Sequence, residues 1–524
     1  VWEQHPQHGE QLRAVEIERR LPEDEEEIIS YLGSGIIKGV GPSTAQRIVE
    51  RFGRDALEVL ESEPEKLSLL KGITARKAQE ISASFRQHMG LRRLMAFLAQ
   101  YELPPVLAMN LRRQYGDGAL AALRNNPYLL SDSACGVEFS VADRIAMSMG
   151  MESDSSCRIE AAVTFELSHN ENNGHVFLPR NKLVAATCQL LDCEPELVEQ
   201  ALDTLVERHS VVQERIANVE ACYLRRLWEA EVSACVRLNG LLAVDADRSP
   251  QAGKTVSEIE AEQGITYAPQ QRQAVETAAR QGVLILTGGP GTGKTTTVNA
   301  ILSLYEALYD RVALCAPTGR AAKRLSELTH HAASTIHRLL EVDYSSGNVR
   351  FIHNEKNLLK YDVIILDEMS MVDVKLFQAL LAAARYHCRI IMVGDADQLP
   401  SVGPGNILGE ILRADVVPTV RLTDIFRQAQ QSLIVQNAHR IVEGQMPQKG
   451  GAKDDFFMIE STGLACQKLV CDLVSTRLPK AYGFDPVKDI QVLWPTKVGP
   501  TGSVELNKKL QEILNPPAKG KAQI

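Results

Sequence analysis

The chain has 524 residues, 44% hydrophobic and 23% charged, which fits several folded domains in series and excludes a disordered or fibrous protein. Its formal net charge of −9 excludes a cationic character spread over the whole molecule, although an acidic protein can carry a local positive groove. Ten scattered cysteines without a Cys-x-x-Cys pair exclude a disulfide framework and predict buried free thiols in a reducing cytoplasm.

No apolar run approaches the roughly 20 residues of a membrane-spanning helix, and no signal peptide is visible, so no membrane partner is expected. The chain begins at Val1 and stops at Ile524 without a closing element, and it reads as a piece of a longer protein. Residues 1–30 are mixed polar and read as the remnant of an N-terminal domain.

Residues 31–150 hold a weak internal repeat. Its first member is Ile37-Lys38-Gly39-Val40-Gly41, its second Leu70-Lys71-Gly72-Ile73-Thr74, its third Cys135-Gly136-Val137-Glu138. Each joins an apolar residue, a glycine turn and a helix start, a pattern that resembles the helix-hairpin-helix module of DNA-binding proteins. A tight Gly-x-Gly turn exposes backbone N–H groups at a helix N-terminus, which suits a phosphate. Gly39 and Gly41 therefore make the first hairpin a candidate contact for DNA or for protein. The second keeps only Gly72, and the third puts Glu138 where the second glycine would fall. These two read as structural helix pairs.

Residues 151–245 alternate short helical patterns with loops, and 211–214 with 221–224 read as a small hairpin. A winged-helix unit and a plain helical connector both fit. Residues 245–264 are polar, hold Pro250 and Gly253, and read as a linker.

From 265 onward apolar strands at 283–286, 312–315, 363–366 and 390–393 alternate with helical stretches, predicting a parallel α/β sheet. After the first strand come Gly288, Gly289, Pro290, Gly291, Thr292, Gly293, Lys294, Thr295 and Thr296, which complete the GxxxxGK[ST] phosphate-binding pattern. Lys294 would reach the β- and γ-phosphates of ATP, and the Thr295 hydroxyl would sit on Mg²⁺. Asp367 and Glu368 end the strand at 363–366, placed to hold Mg²⁺ and to polarise the attacking water. Gln398, after the strand at 390–393, can hydrogen-bond the γ-phosphate. Thr318 and Arg320 follow the strand at 312–315, where they would meet a nucleic-acid backbone. A glutamine just upstream of the first strand would read the adenine edge.

The set GGPGTGKTT (288–296), APTGRAAKRL (316–325), DEMSMVD (367–373), GDADQLPSVGPG (394–405) and LTDIFRQ (422–428) resembles superfamily 1 helicases of the RecD branch. With the hairpins in front, it resembles the long form that acts outside the RecBCD complex. The resemblance implies an α-helical N-terminal region, a RecA-like P-loop ATPase domain at 265–420, and the start of a second RecA-like domain at 421–524. It implies a bacterial, cytoplasmic, ATP- and Mg²⁺-dependent motor, a monomer moving 5′ to 3′ on single-stranded DNA in repair or recombination. A 5′ tail, a duplex fork and a single-strand-binding protein are the implied partners.

Under this resemblance Gln271 matches the adenine-reading glutamine, and Arg427 matches an arginine that reaches the γ-phosphate. A β-hairpin at 341–354 matches the pin at the strand fork, with Tyr344 and Phe351 able to stack on a base or to pack on their own domain. The family continues past 524 into its last two motifs, so weak hydrolysis is expected of the piece alone. The helicase part of a conjugative relaxase and a DNA-binding scaffold with weak ATPase are the competing readings.

Overall fold

The computed structural model describes residues 2–5, 9–12, 22, 24–132, 135–244, 255–308, 310–343, 350–424, 431–451, 454–499 and 502–516. Tyr344 and Arg427 lie outside these described residues. The chain divides into two compact units. The first comprises Val1–Ile265, Gln273–Leu286 and Val298–Val420; the second comprises Thr266–Arg272, Thr287–Thr297 and Arg421–Ile524.

In the first unit the helices Glu25–Gly33, Pro42–Phe52, Ala56–Ser62 and Ala75–Ala99 enclose a small core of Ile28, Leu32, Ile48, Leu60, Ile81 and Phe85. The first two hairpins build the same turn. Gly39 has φ 90° and Gly72 has φ 89°. Val40 N–H donates to Ile37 C=O, and Ile73 N–H to Leu70 C=O, each at 3.1 Å.

The missing second glycine of the second hairpin has a simple explanation. Gly41 sits at φ −96°, which any residue adopts. Thr74 takes the equivalent place at φ −76° and caps its helix, accepting from Lys77 N–H. Only the first glycine of each turn needs left-handed freedom. Gly39→Ala or Gly72→Ala is therefore expected to destabilise this region by about 1–2 kcal/mol. Gly41→Ala meets open space and is expected to be neutral or stabilising by about 0.4–1 kcal/mol. Hydrogen exchange across Ala75–Ala99 measures the difference.

The connector contains the helices Ser156–Glu171, Arg180–Leu191 and Pro195–Glu207. The strands Val211–Ile216 and Val219–Leu224 pair antiparallel with Val211 opposite Leu224. Phe177–Pro179 joins the other edge of Val219–Leu224 as a third strand. The helix Arg225–Leu242 then lies on Val374–Ala383 of the ATPase region, where Arg237 donates to the carbonyls of Leu381 and Ala384. Residues 245–254 lie outside the described set. The remainder of the expected linker contains the helix Val256–Gln263, opened by a capping box of Thr255 and Glu258 and closed by Gly264.

The largest sheet has six strands, in the order Thr419–Leu422, Val283–Gly288, Arg389–Gly394, Val363–Leu366, Val312–Ala316, Ala333–Thr335. The last four run parallel. Strand Val363–Leu366 is buried along its whole length, which is why it reads as an unbroken apolar run and not as an alternation. Arg389 is 3% exposed and donates to the carbonyls of Ala278, Ala279 and Gln281, so a buried cation satisfies a helix C-terminus. Among the described residues no helix is long and apolar enough to cross a membrane.

Candidate nucleotide site

The second compact unit holds the phosphate-binding loop. Gly291 and Gly293 lie at φ 78° and 81°, which only glycine adopts without strain. Gly288 and Gly289 are needed for space: a Cβ would lie 2.7 Å from Leu422 O at the first and 2.9 Å from the His439 ring at the second. Thr292 is 3% exposed and its hydroxyl donates to Gly289 C=O at 2.9 Å, fixing the bend. Lys294 opens the helix Lys294–Ala307, and its Nζ donates to Gly288 C=O at 2.5 Å and Gly289 C=O at 3.0 Å. The ammonium therefore lies over the loop backbone, at the positive end of its own helix. Thr295 and Thr296 follow in the first turn of that helix.

Gln271 lies against the phosphate-binding loop. It is 2% exposed; its Oε1 accepts from Ala268 N–H at 3.0 Å and its Nε2 donates to Gly293 C=O at 3.3 Å. In this structure the amide holds the loop, and its Oε1 and Nε2 each keep capacity for one further hydrogen bond. Gln270 is half-buried and makes a paired bond with Thr423, its Nε2 donating to Thr423 Oγ1 at 2.7 Å and its Oε1 accepting from Thr423 N–H at 2.8 Å.

Sequence reasoning missed His439 on the helix Leu433–Val442. Its ring packs against Gly289, and its buried Nε2 has no hydrogen-bond partner among the described residues. No local pattern announces it, because the contact joins segments far apart in the chain.

In the first compact unit Asp367 directly follows the strand Val363–Leu366, and its N–H donates to Cys315 C=O at 2.9 Å. Glu368 sits in the left-handed region at φ 52°, ψ 44°. Burial, helped by the charge of Asp367, pushes the Cys315 thiol far up, and its Sγ donates to Ile365 C=O at 3.7 Å. Asp395 is 4% exposed and accepts from Asp397 N–H at 3.1 Å. Gln398 is exposed on the loop that follows.

Thr318 caps the helix Gly319–Thr329, its hydroxyl accepting from Ala321 N–H at 3.2 Å, and Arg320 is exposed in the first turn. Strands Val342–Asp343 and Arg350–Phe351 pair antiparallel, as expected of a hairpin. Phe351 is partly buried, its ring 5.8 Å from that of His337.

The donor set fits a nucleoside triphosphate and a hard divalent cation. The loop is a backbone cradle with a lysine. Thr295, in the first turn of the same helix, offers an oxygen donor, and Mg²⁺ bound largely through phosphates and water needs only one or two from protein. The cradle is that of a P-loop nucleotide-binding protein, and two helix-hairpin-helix turns precede it in the chain.

Comparison with known families gives the particular kind. Residues 271–404 match a AAA domain, 32–87 a SAM-like helix-hairpin-helix tandem, and 87–177 the HHH domain of the ATP-dependent RecD2 DNA helicase. The ATP-dependent RecD2 DNA helicase of Deinococcus radiodurans is 33% identical over 530 residues, covering 98% of this chain and 71% of that one. The RecBCD enzyme subunit RecD of Mycolicibacterium smegmatis is 40% identical over 215 residues, 36% of this chain and 37% of that one. The subunit RecD of Mycobacterium tuberculosis is 38% identical over 213 residues, 36% of this chain and 35% of its own. The chain belongs to the RecD2 family of ATP-dependent DNA helicases.

Proposed function

We propose that this helicase moves 5′ to 3′ along single-stranded DNA and opens a duplex fork ahead of it, in repair or recombination. The observation that supports the reading most is the RecD2 likeness along 98% of the chain, with the phosphate-binding loop intact within it. Lys294 neutralises the β- and γ-phosphates of ATP. Thr295 and Asp367 are the candidate Mg²⁺ ligands. Glu368 orients and polarises the attacking water, Gln398 senses the γ-phosphate, and Arg427 neutralises charge that develops in the transition state. Gly39 and Gly41 contact a DNA backbone, as do Thr318 and Arg320. Tyr344 and Phe351 serve the pin. The partners are a 5′-tailed single strand and its fork, with a single-strand-binding protein nearby, and the working form is a monomer in the bacterial cytoplasm.

Unwinding of 5′-tailed against 3′-tailed duplexes by the full-length protein tests this. The 5′-tailed duplex is expected to be opened and the 3′-tailed one left paired. Preference for the 3′ tail would overturn the direction.

A further inference from the structure

A single turn of the connector touches both segments that lead away from the strands Val363–Leu366 and Arg389–Gly394. The helix Ser156–Glu171 ends in a turn where Gly174, at φ 84°, donates its N–H to Glu171 C=O at 2.9 Å. The Gly174 carbonyl accepts from Gly405 N–H at 3.0 Å. Gly405 closes the loop that carries Gln398. Glu171 is 7% exposed; it accepts from Lys375 Nζ at 3.1 Å and pairs with Arg226. Lys375 lies in the first turn of Val374–Ala383, the helix that follows Asp367 and Glu368 on the same segment.

The two segments also grip each other. Val374 N–H donates to Pro404 C=O at 3.0 Å. A Cβ at Gly403 would collide with the Asp373 carboxylate, and one at Gly405 would lie 3.3 Å from Val374 and 3.5 Å from Val176. The Ser401 hydroxyl, 8% exposed, lies 2.9 Å from Gly403 C=O and 2.8 Å from Gly405 C=O. The far end of the loop after Gln398 is therefore hydrogen-bonded both to the helix Val374–Ala383 and to the connector.

Burial alone would push the Glu171 carboxyl up, but the hydrogen bonds and charges of Arg226 and Lys375 outweigh it and hold the group below the usual carboxylate range. A buried carboxylate with two cations is costly to disturb, so it fixes geometry more firmly than a surface pair would.

We propose that Glu171 and Gly174 are positioning residues for ATP hydrolysis, holding the segment of Asp367 and Glu368 and the loop of Gln398 in register. The inference rests on the roles given to those three residues under the proposed function. The physical lever is displacement: a shift of about 1 Å at a reacting group costs on the order of a hundredfold in rate. The connector thus belongs to the hydrolytic machinery as a brace.

The test uses the full-length protein and four single substitutions: Glu171→Gln, Glu171→Asp, Gly174→Ala and Lys375→Met. The Lys375 side chain is 49% exposed and Arg226 still pairs with Glu171 without it, so its substitution is expected to disturb the fold less than Glu171→Gln. Expected is a fall of about tenfold in the DNA-stimulated kcat, with KM for ATP and affinity for a fluorescent ATP analogue within about twofold. Glu171→Asp should recover part of the rate. A merely structural role would instead lower the melting temperature and the active fraction, leaving kcat per active site unchanged. An unchanged kcat in Lys375→Met and Gly174→Ala, alongside normal DNA-stimulated hydrolysis by the unsubstituted protein, would overturn the brace alone. Absence of DNA-stimulated hydrolysis in the unsubstituted protein would overturn the proposed function, and this inference with it.

Discussion

Lys294→Ala in the full-length protein is expected to lower DNA-stimulated ATP hydrolysis by about 10²–10³-fold, as loss of one fixed charge-stabilising donor does elsewhere. The lysine head lies over the loop it would serve, 2.5 Å from Gly288 C=O and 3.0 Å from Gly289 C=O. The loop cannot replace it, because glycine is required for space at 288 and 289 and for conformation at 291 and 293. Lys294→Arg is expected to fail almost as badly, since a planar guanidinium does not fit where a compact ammonium sits. Binding of single-stranded DNA without nucleotide should stay near its starting level, because that affinity comes from backbone contacts elsewhere. Phosphate release with and without single-stranded DNA measures the first effect, and a filter or anisotropy assay the second. Survival of stimulated hydrolysis in Lys294→Ala would show that this loop is not the phosphate site and would leave a DNA-binding scaffold as the better reading.

What was legible in the sequence follows the range of the interactions involved. The motor strands announce themselves because strand Val363–Leu366 is buried throughout and strand Arg389–Gly394 likewise, so the code is a local apolar run. The phosphate loop is legible for the same reason: its glycines answer to torsion angles and close approach within a few residues.

The rest depends on partners distant in sequence. Phe177–Pro179 becomes a strand only because Val219–Leu224 offers an edge. The Glu171–Lys375 pair spans 204 positions, and nothing near Glu171 marks it as buried. Gln271 illustrates a different limit. Its place in the motif was readable, but the use of its amide inside the loop was not, because that depends on where Ala268 and Gly293 come to lie. The second hairpin shows a third limit. A pattern of two glycines marks the turn, whereas the backbone needs only one, and Thr74 fills the other place with a helix cap.

Glu368 permits a test in which stability and activity move apart. The residue lies at φ 52°, ψ 44°, a region that costs a non-glycine side chain about 1–2 kcal/mol. The backbone there is held from outside. Met369 and Ser370 are 0% and 6% exposed, and Met371 N–H donates to Glu368 C=O at 3.0 Å. Strain kept in place by its surroundings is what a functional constraint produces.

Two substitutions separate the carboxylate from the backbone. Glu368→Gln keeps the strain and removes the base; it is expected to bind ATP normally and to lose about 10²–10⁴-fold in hydrolysis, with unchanged stability. Glu368→Gly removes both. It is expected to lose hydrolysis as completely, yet to be as stable as the parent or more stable by up to about 1 kcal/mol, since relief of strain outweighs the added freedom of the unfolded chain. Single-turnover hydrolysis and urea unfolding of the same preparations read the two effects. Retained hydrolysis in Glu368→Gln would remove the residue from its role with water. A Glu368→Gly protein weaker than the parent by more than about 1 kcal/mol would show that the left-handed turn is not strained. If both expectations hold, selection has kept a side chain at 368 that the fold alone would exchange for glycine, and the chemistry of the carboxylate is the reason.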